Sequence, residues 1–122
     1  MRNQPKYSFF KNTTYAMKGM KDLLTYETSF KIEILITIIL MPVLFILDLS
    51  TTYKLFMFTS LMGMLIAEAI NSAIERVVDL VTLEYHEMAG RAKDVGSAVV
   101  FLSIVVFVCT WSIILLEYYC KK

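Results

Sequence analysis

Glycine and proline are scarce in this 122-residue sequence, with four and two copies. Such scarcity leaves little room for loops and favours long helices. The glycines, Gly19, Gly63, Gly90 and Gly96, form neither a G-x-x-x-x-G-K-[ST] phosphate loop nor the glycine-rich loop of soluble kinases. Charge is sparse too: 19% of residues are Asp, Glu, Lys or Arg and the net charge is +1, which excludes a strongly basic nucleic-acid binder. The one histidine, His86, has no second histidine and no nearby cysteine with which to complete a zinc set. Cys109 and Cys120 stand roughly three turns apart on what reads as one helix, so no bridge joins them within it. No short hydrophobic segment followed by small-residue cleavage positions marks a signal peptide, and the first apolar run begins only after Glu33.

What the sequence does contain is apolar surface. Hydrophobic residues make up 57% of it, including eight Met, eight Phe and seven Tyr, and the mean hydropathy is +0.62. That is too much for a water-soluble domain of this size, and the length rules out separate nucleotide and substrate modules, so a single membrane domain is expected. Val95 to Leu116 is an uncharged run of 22 residues, which as a helix would reach ~33 Å against a hydrocarbon core of about 30 Å. Ile34 to Leu47 is a shorter uncharged run containing Pro42, flanked by Lys31 and Glu33 on one side and by Asp48 to Thr52 on the other. Leu55 to Ile74 makes a further span only if the membrane accepts Glu68.

The expected layout is a surface helix over about residues 8–30, spans over 31–48, 53–76 and 95–117, and a polar cytoplasmic loop over 77–94. Of the 12 Lys and Arg, nine precede the first span, sit at the inner ends of the first two spans or lie in that loop: Arg2, Lys6, Lys11, Lys18, Lys21, Lys31, Arg76, Arg91 and Lys93. Lys54, Lys121 and Lys122 do not, so the balance puts the N-terminus and the loop on the cytoplasmic side.

In the N-terminal segment Phe9, Ala16, Met17, Met20, Leu23 and Leu24 recur at helical spacing while Lys11, Lys18 and Lys21 gather elsewhere, the pattern of an amphipathic helix lying on a membrane surface. Glu27 falls on its apolar side, either turned toward the membrane domain or paired with Lys31 one turn on. In the segment EAINSAIERVVD the residues Glu68, Asn71, Ser72, Glu75 and Asp79 share one helix face. A carboxylate within the bilayer costs ~2.5–3.5 kcal/mol at the helix centre on insertion scales, so it protonates, finds partners or serves a function. Polar packing across an oligomer interface, or a transport site at Glu68, are the other readings of that face. The segment EYHEMAGRAKDVGSA then adds Glu84, His86, Glu87, Arg91, Lys93 and Asp94. In this layout Glu27, Glu68, Glu75, Lys93 and Asp94 all approach one interface. Cations beside carboxylates able to hold Mg²⁺ are what phosphoryl transfer needs, because its catalysis is largely positioning and charge neutralisation.

Over these two segments, and through the surface helix and three spans around them, the sequence resembles the prokaryotic diacylglycerol kinase family. The resemblance implies an all-α membrane protein, a homotrimeric helical bundle with composite sites between neighbours. It also implies the bacterial cytoplasmic (inner) membrane and transfer of the ATP γ-phosphoryl group, with Mg²⁺, to a membrane lipid. Diacylglycerol is the implied acceptor, giving phosphatidic acid, with undecaprenol as the acceptor of some relatives. By the same resemblance Glu68 is the catalytic base with Asn71 beside it, and Glu27 and Glu75 hold the metal of Mg²⁺-ATP. Tyr15, Glu84, Tyr85, His86, Lys93 and Asp94 match nucleotide-contacting positions. Lys21, Asp22, Leu23, Leu24, Ser29, Phe30, Lys31, Ile32, Glu33, Ser97 and Trp111 match positions near the lipid, as does Glu68. Two positions depart from the family: Ser8 stands where an arginine is frequent, with Lys6 or Lys11 as the substitute charge, and Ile46 stands where a tryptophan is found.

Overall fold

The computed structural model describes residues 6–122, so Arg2 of the charge count lies outside the described residues. Four helices follow one another: α1 (Phe9–Tyr26), α2 (Thr28–Ile46), α3 (Thr51–Val81) and α4 (Glu87–Cys120). Of these, α2, α3 and α4 are long and apolar enough to cross a membrane.

Three of the four helices begin on a side chain that caps them, and α2, whose N-cap is Glu27, does not. Ser8, where the resemblance leads one to expect an arginine, is the N-cap of α1, its hydroxyl accepting from the Lys11 N–H at 3.5 Å. Ser50 caps α3 by accepting from the Tyr53 N–H at 3.3 Å. His86 caps α4, with Nδ1 accepting from the Met88 N–H at 3.2 Å and Glu87 placed in the first turn, where the helix dipole favours an anion.

Two boundaries differ from those expected. The first helix stops at Tyr26 rather than at residue 30, because Glu27 adopts an extended conformation (φ −103°, ψ 107°) that ends α1 and starts α2. No glycine or proline marks this elbow. The segment 77–94 is not a loop: α3 continues to Val81, α4 starts at Glu87, and only Thr82 to His86 join them. Charge in that stretch opposes burial in lipid but does not oppose a helix, and a five-residue turn held by the Glu84 N–H on Thr82 Oγ1 at 3.1 Å suffices for the reversal. Lys93 and Asp94 are therefore helical residues with fixed positions.

Packing is most extensive between α3 and α4, with α2 laid against α3 and α1 touching α2. Leu44, Met57, Leu61, Met64, Trp111 and Ile114 form the buried apolar cluster, all in the half of the bundle near the α2–α3 turn. In the other half the buried side chains include Glu33, Thr37, Glu68, Asn71 and Ser72, together with Phe30 and Ala67. Cys109 and Cys120 are both free.

Candidate active site

The polar face of α3 supplies the centre of the site. Glu68, Asn71 and Ser72 are buried at 6%, 8% and 2% exposure, a depth at which polar side chains normally need partners. Asn71 donates from Nδ2 to Glu75 Oε1 at 3.3 Å, one turn along the same helix. Where this face meets the α1–α2 elbow and α4, it lines an open cleft of about 470 Å³. Tyr26, Glu27, Thr28 and Ser29 come from the elbow, Glu68, Asn71 and Glu75 from α3, and Ser97 and Val100 from α4. The three carboxylates singled out from the sequence thus converge on one recess, drawn from two places in the chain.

A second recess of about 320 Å³ adjoins it and has a different character. Its walls are Ile32, Ile36, Met64, Ile104, Phe107 and Val108, with Glu33 as a polar exception, and it shares Ser29, Glu68 and Val100 with the polar cleft. Glu68 therefore stands on the boundary between an apolar groove and a polar cleft. The carboxyl of Glu33 is buried in the same region, and its Oε2 has no hydrogen-bond partner among the described residues.

A third recess, about 180 Å³, lies further along the α3–α4 seam. It is lined by Glu84, Tyr85, His86 and Lys93 of the expected nucleotide set, together with Asp79. Lys93 Nζ reaches Asp79 Oδ1 at 2.6 Å, a half-exposed pair. Glu75 and Asp79 are one turn apart on α3, as Lys93 and Ser97 are on α4, so this recess continues the direction of the polar cleft.

Other expected residues lie elsewhere. Tyr15, Lys21, Leu23, Leu24, Lys31 and Asp94 line none of these three recesses. Phe30 is fully buried at 1% exposure. Trp111 sits in the apolar cluster of the opposite half, its indole N–H donating to Ser60 Oγ at 3.1 Å and to the Met57 carbonyl at 3.3 Å.

Glu27 is not paired with the Lys31 side chain. Lys31 meets it only through its backbone N–H, 3.1 Å from the Glu27 carbonyl. The side-chain partner is Arg76, whose Nη2 and Nε donate to Glu27 Oε1 at 2.6 and 3.1 Å, and whose Nη1 pairs with Asp22. Arg76 was legible in the sequence only as a charge that orients the protein. Its place directly after Glu75, in the one polar stretch of an apolar helix, was the available signal of a local role.

Among the described residues no three His, Cys, Asp or Glu side chains cluster tightly enough to hold a metal alone. Two carboxylates in one open cleft nevertheless fit Mg²⁺, which keeps several waters and takes one or two carboxylates plus substrate phosphates. Both Arg76 contacts fall on Oε1 of Glu27, so Oε2 takes neither.

Comparison with known proteins carries the same chemistry. The family described as prokaryotic diacylglycerol kinase matches residues 14–115. The sequence is 38% identical to diacylglycerol kinase of Escherichia coli over 105 residues, 86% of each chain. It is 39% identical to diacylglycerol kinase of Pseudomonas aeruginosa over 104 residues, 85% of each. It is 30% identical to undecaprenol kinase of Bacillus subtilis over 98 residues, 80% of each.

Proposed function

Because the chain belongs to the prokaryotic diacylglycerol kinase family, we propose that it transfers the γ-phosphoryl group of ATP to the primary hydroxyl of diacylglycerol, giving phosphatidic acid and ADP. The observation that carries this reading is the position of Glu68, which lines both the apolar groove and the polar cleft. An amphiphile with its chains along Ile32, Ile36, Ile104 and Val108 presents its hydroxyl to Glu68, while the nucleotide enters from the polar side. Glu68 accepts the hydroxyl proton as the oxygen bonds to the γ-phosphorus and the bond to the β-phosphate oxygen breaks. The open cleft lets that proton pass to solvent afterwards.

Glu27 and Glu75 would hold the Mg²⁺ that accompanies ATP, which supplies neutralisation of phosphate charge. Asn71 fixes Glu75 by its hydrogen bond, and Arg76 fixes Glu27. Glu84, Tyr85, His86 and Lys93 contact the nucleotide from the adjoining recess. The company of Glu68 favours this reading over a transport carboxylate, which has no need of Glu27 and Glu75 in the same cleft.

The working unit is a homotrimer in the bacterial inner membrane, with α1 on its cytoplasmic face. Supporting this, α1 buries none of its residues within the chain and leaves Phe9, Met17, Met20 and Leu24 exposed to a membrane surface. Tyr15 and Asp94 are exposed and line none of their own subunit's three recesses, which supports a reading in which they complete a neighbour's site. Diacylglycerol is preferred to undecaprenol as the acceptor because the diacylglycerol kinases of Escherichia coli and Pseudomonas aeruginosa are 38% and 39% identical, against 30% for the undecaprenol kinase.

The test presents the purified protein with γ-labelled ATP and each alcohol in mixed micelles. Label in phosphatidic acid is expected. Label only in undecaprenyl phosphate overturns the acceptor, and label in neither lipid overturns the kinase reading.

A further inference from the structure

Helix α4 carries no side chain where it passes Asn71 of α3. A Cβ placed on Gly96 would stand 2.5 Å from Asn71 Oδ1, 3.5 Å from Asn71 Cγ and 3.5 Å from Ile74 Cγ2, whereas one on Gly19, Gly63 or Gly90 would meet nothing within 4 Å. The first of those contacts is too close for any pair of non-bonded heavy atoms other than a hydrogen-bonded one, and a methyl carbon is no such partner. Asn71, 8% exposed, can retreat from such a contact only by turning its amide toward the cleft and away from Glu75. Its amide is also used asymmetrically. Nδ2 donates to Glu75 Oε1 at 3.3 Å, while Oδ1 is buried on the Gly96 side with no hydrogen-bond partner among the described residues. Reversing the amide would set its oxygen against the Glu75 carboxylate, so only one orientation presents a donor to that group.

We propose that Gly96 is a positioning residue: by leaving space for Asn71 Oδ1, it holds the Asn71 amide in the orientation that fixes Glu75. Gly96 need not touch nucleotide or lipid to do this. Its consequence for Mg²⁺ rests on the metal role proposed above for Glu75, but the contact itself does not.

The experiment is a double-mutant cycle of Gly96→Ala, Asn71→Ala and the combination, read in two ways. The first uses metal-free protein carrying ¹⁵N only in its asparagines, which are Asn3, Asn12 and Asn71; Asn71→Ala assigns the Asn71 side-chain amide pair by its disappearance. Gly96→Ala is expected to shift or broaden that pair while leaving those of Asn3 and Asn12 in place. The second reading is the Mg²⁺ concentration giving half-maximal ATP-dependent turnover. Gly96→Ala should raise it by about tenfold or more, the usual consequence of losing an outer-shell partner of a metal ligand.

In the Asn71→Ala background Gly96→Ala should add nothing, because the oxygen it would strike is gone and Ile74 at 3.5 Å is an ordinary contact. An unmoved Asn71 amide pair in Gly96→Ala, or a full additional loss in the double variant, overturns the proposal. Should Gly96→Ala fail to yield folded protein, the double variant is expected to restore it, and its failure to do so overturns the proposal equally. If the protein phosphorylates no lipid, the kinase reading falls and the amide signal still decides the role of Gly96.

Discussion

The two halves of the helical bundle are built from the same three helices and follow opposite rules. Around Trp111 the buried residues are apolar and the few polar groups are satisfied: the indole N–H reaches Ser60, the Ser60 hydroxyl donates to the Met57 carbonyl at 2.7 Å, and the Tyr53 hydroxyl donates to Glu117 at 2.8 Å. Around Glu68 the buried residues are mostly polar, Phe30 and Ala67 excepted, and Glu33 Oε2, Asn71 Oδ1 and Ser72 Oγ have no partner among the described residues. Each such atom costs about 1–3 kcal/mol when buried unpaired. Two recesses that share Glu68 open beside them, whereas the recesses of the Trp111 half, about 330 Å³ each, lie at its end around Tyr53 and Glu117 and on its flank around Phe56 and Thr110. Packing that holds the helices together is thus concentrated away from the site, and the site keeps polar groups open to water, a ligand or a neighbouring subunit.

Substitutions test this division directly. The largest effect is expected from Glu68→Gln, which keeps the shape and removes the base: turnover should fall ~10²–10⁴-fold, the range for loss of a general base. Thermal unfolding of the same variant should occur no earlier than for the parent, and turnover near the parent value would remove Glu68 from catalysis. Trp111→Ala should do the reverse, costing about 3–5 kcal/mol of stability as a large core deletion while the folded fraction keeps the parent's Mg²⁺ requirement. A changed Mg²⁺ requirement with stability intact would place Trp111 in the site and dissolve the contrast.

Smaller effects sharpen the description of the Glu68 half. Glu27→Gln and Glu75→Gln should each raise the Mg²⁺ needed for half-maximal turnover by at least about tenfold, since losing a ligand is no milder than losing its outer-shell support. Titrations that overlay the parent curve would leave Glu27 as no more than the partner of Arg76. Arg76→Met should change stability least, by less than about 1 kcal/mol, because its pairs with Asp22 and Glu27 are partly exposed. It should still weaken the Mg²⁺ response, by less than Glu27→Gln does. A Mg²⁺ response equal to the parent's would show that Glu27 needs no guidance from Arg76.

Much of the Glu68 half was legible because its signal is local. A polar stripe at offsets of one helical face, set in apolar surroundings, announces itself, and Glu68, Asn71, Ser72 and Glu75 were found that way. The segment 77–94 was misread by treating charge as evidence for a loop, although charge excludes only lipid and the caps at Ser50 and His86 show how polar residues start helices. The elbow at Glu27 carries no glycine or proline to announce it, and the side-chain partner of Glu27, Arg76, lies 49 residues away in sequence. Gly96 was silent for the same reason: a missing side chain acquires meaning only when another helix brings Asn71 against it. The sequence resemblance placed Trp111 near the lipid, but its contacts in the fold are those of a packing residue.

The central claim is that nucleotide binds in the half of the bundle that carries Glu68. Mn²⁺ substituted for Mg²⁺ in complex with ATP, added to ¹⁵N-labelled protein in detergent or bicelles, reports this by broadening nearby amide signals. The account expects strong broadening at Glu27, Asn71, Glu75, Lys93 and Ser97, fading along the helices and absent at Ser50 and Glu117. Ser50 lies 25 residues before Glu75, next to the start of α3, so the separation is ~38 Å along the helix. Broadening centred on Ser50 and Glu117, or spread evenly over both halves, would contradict it.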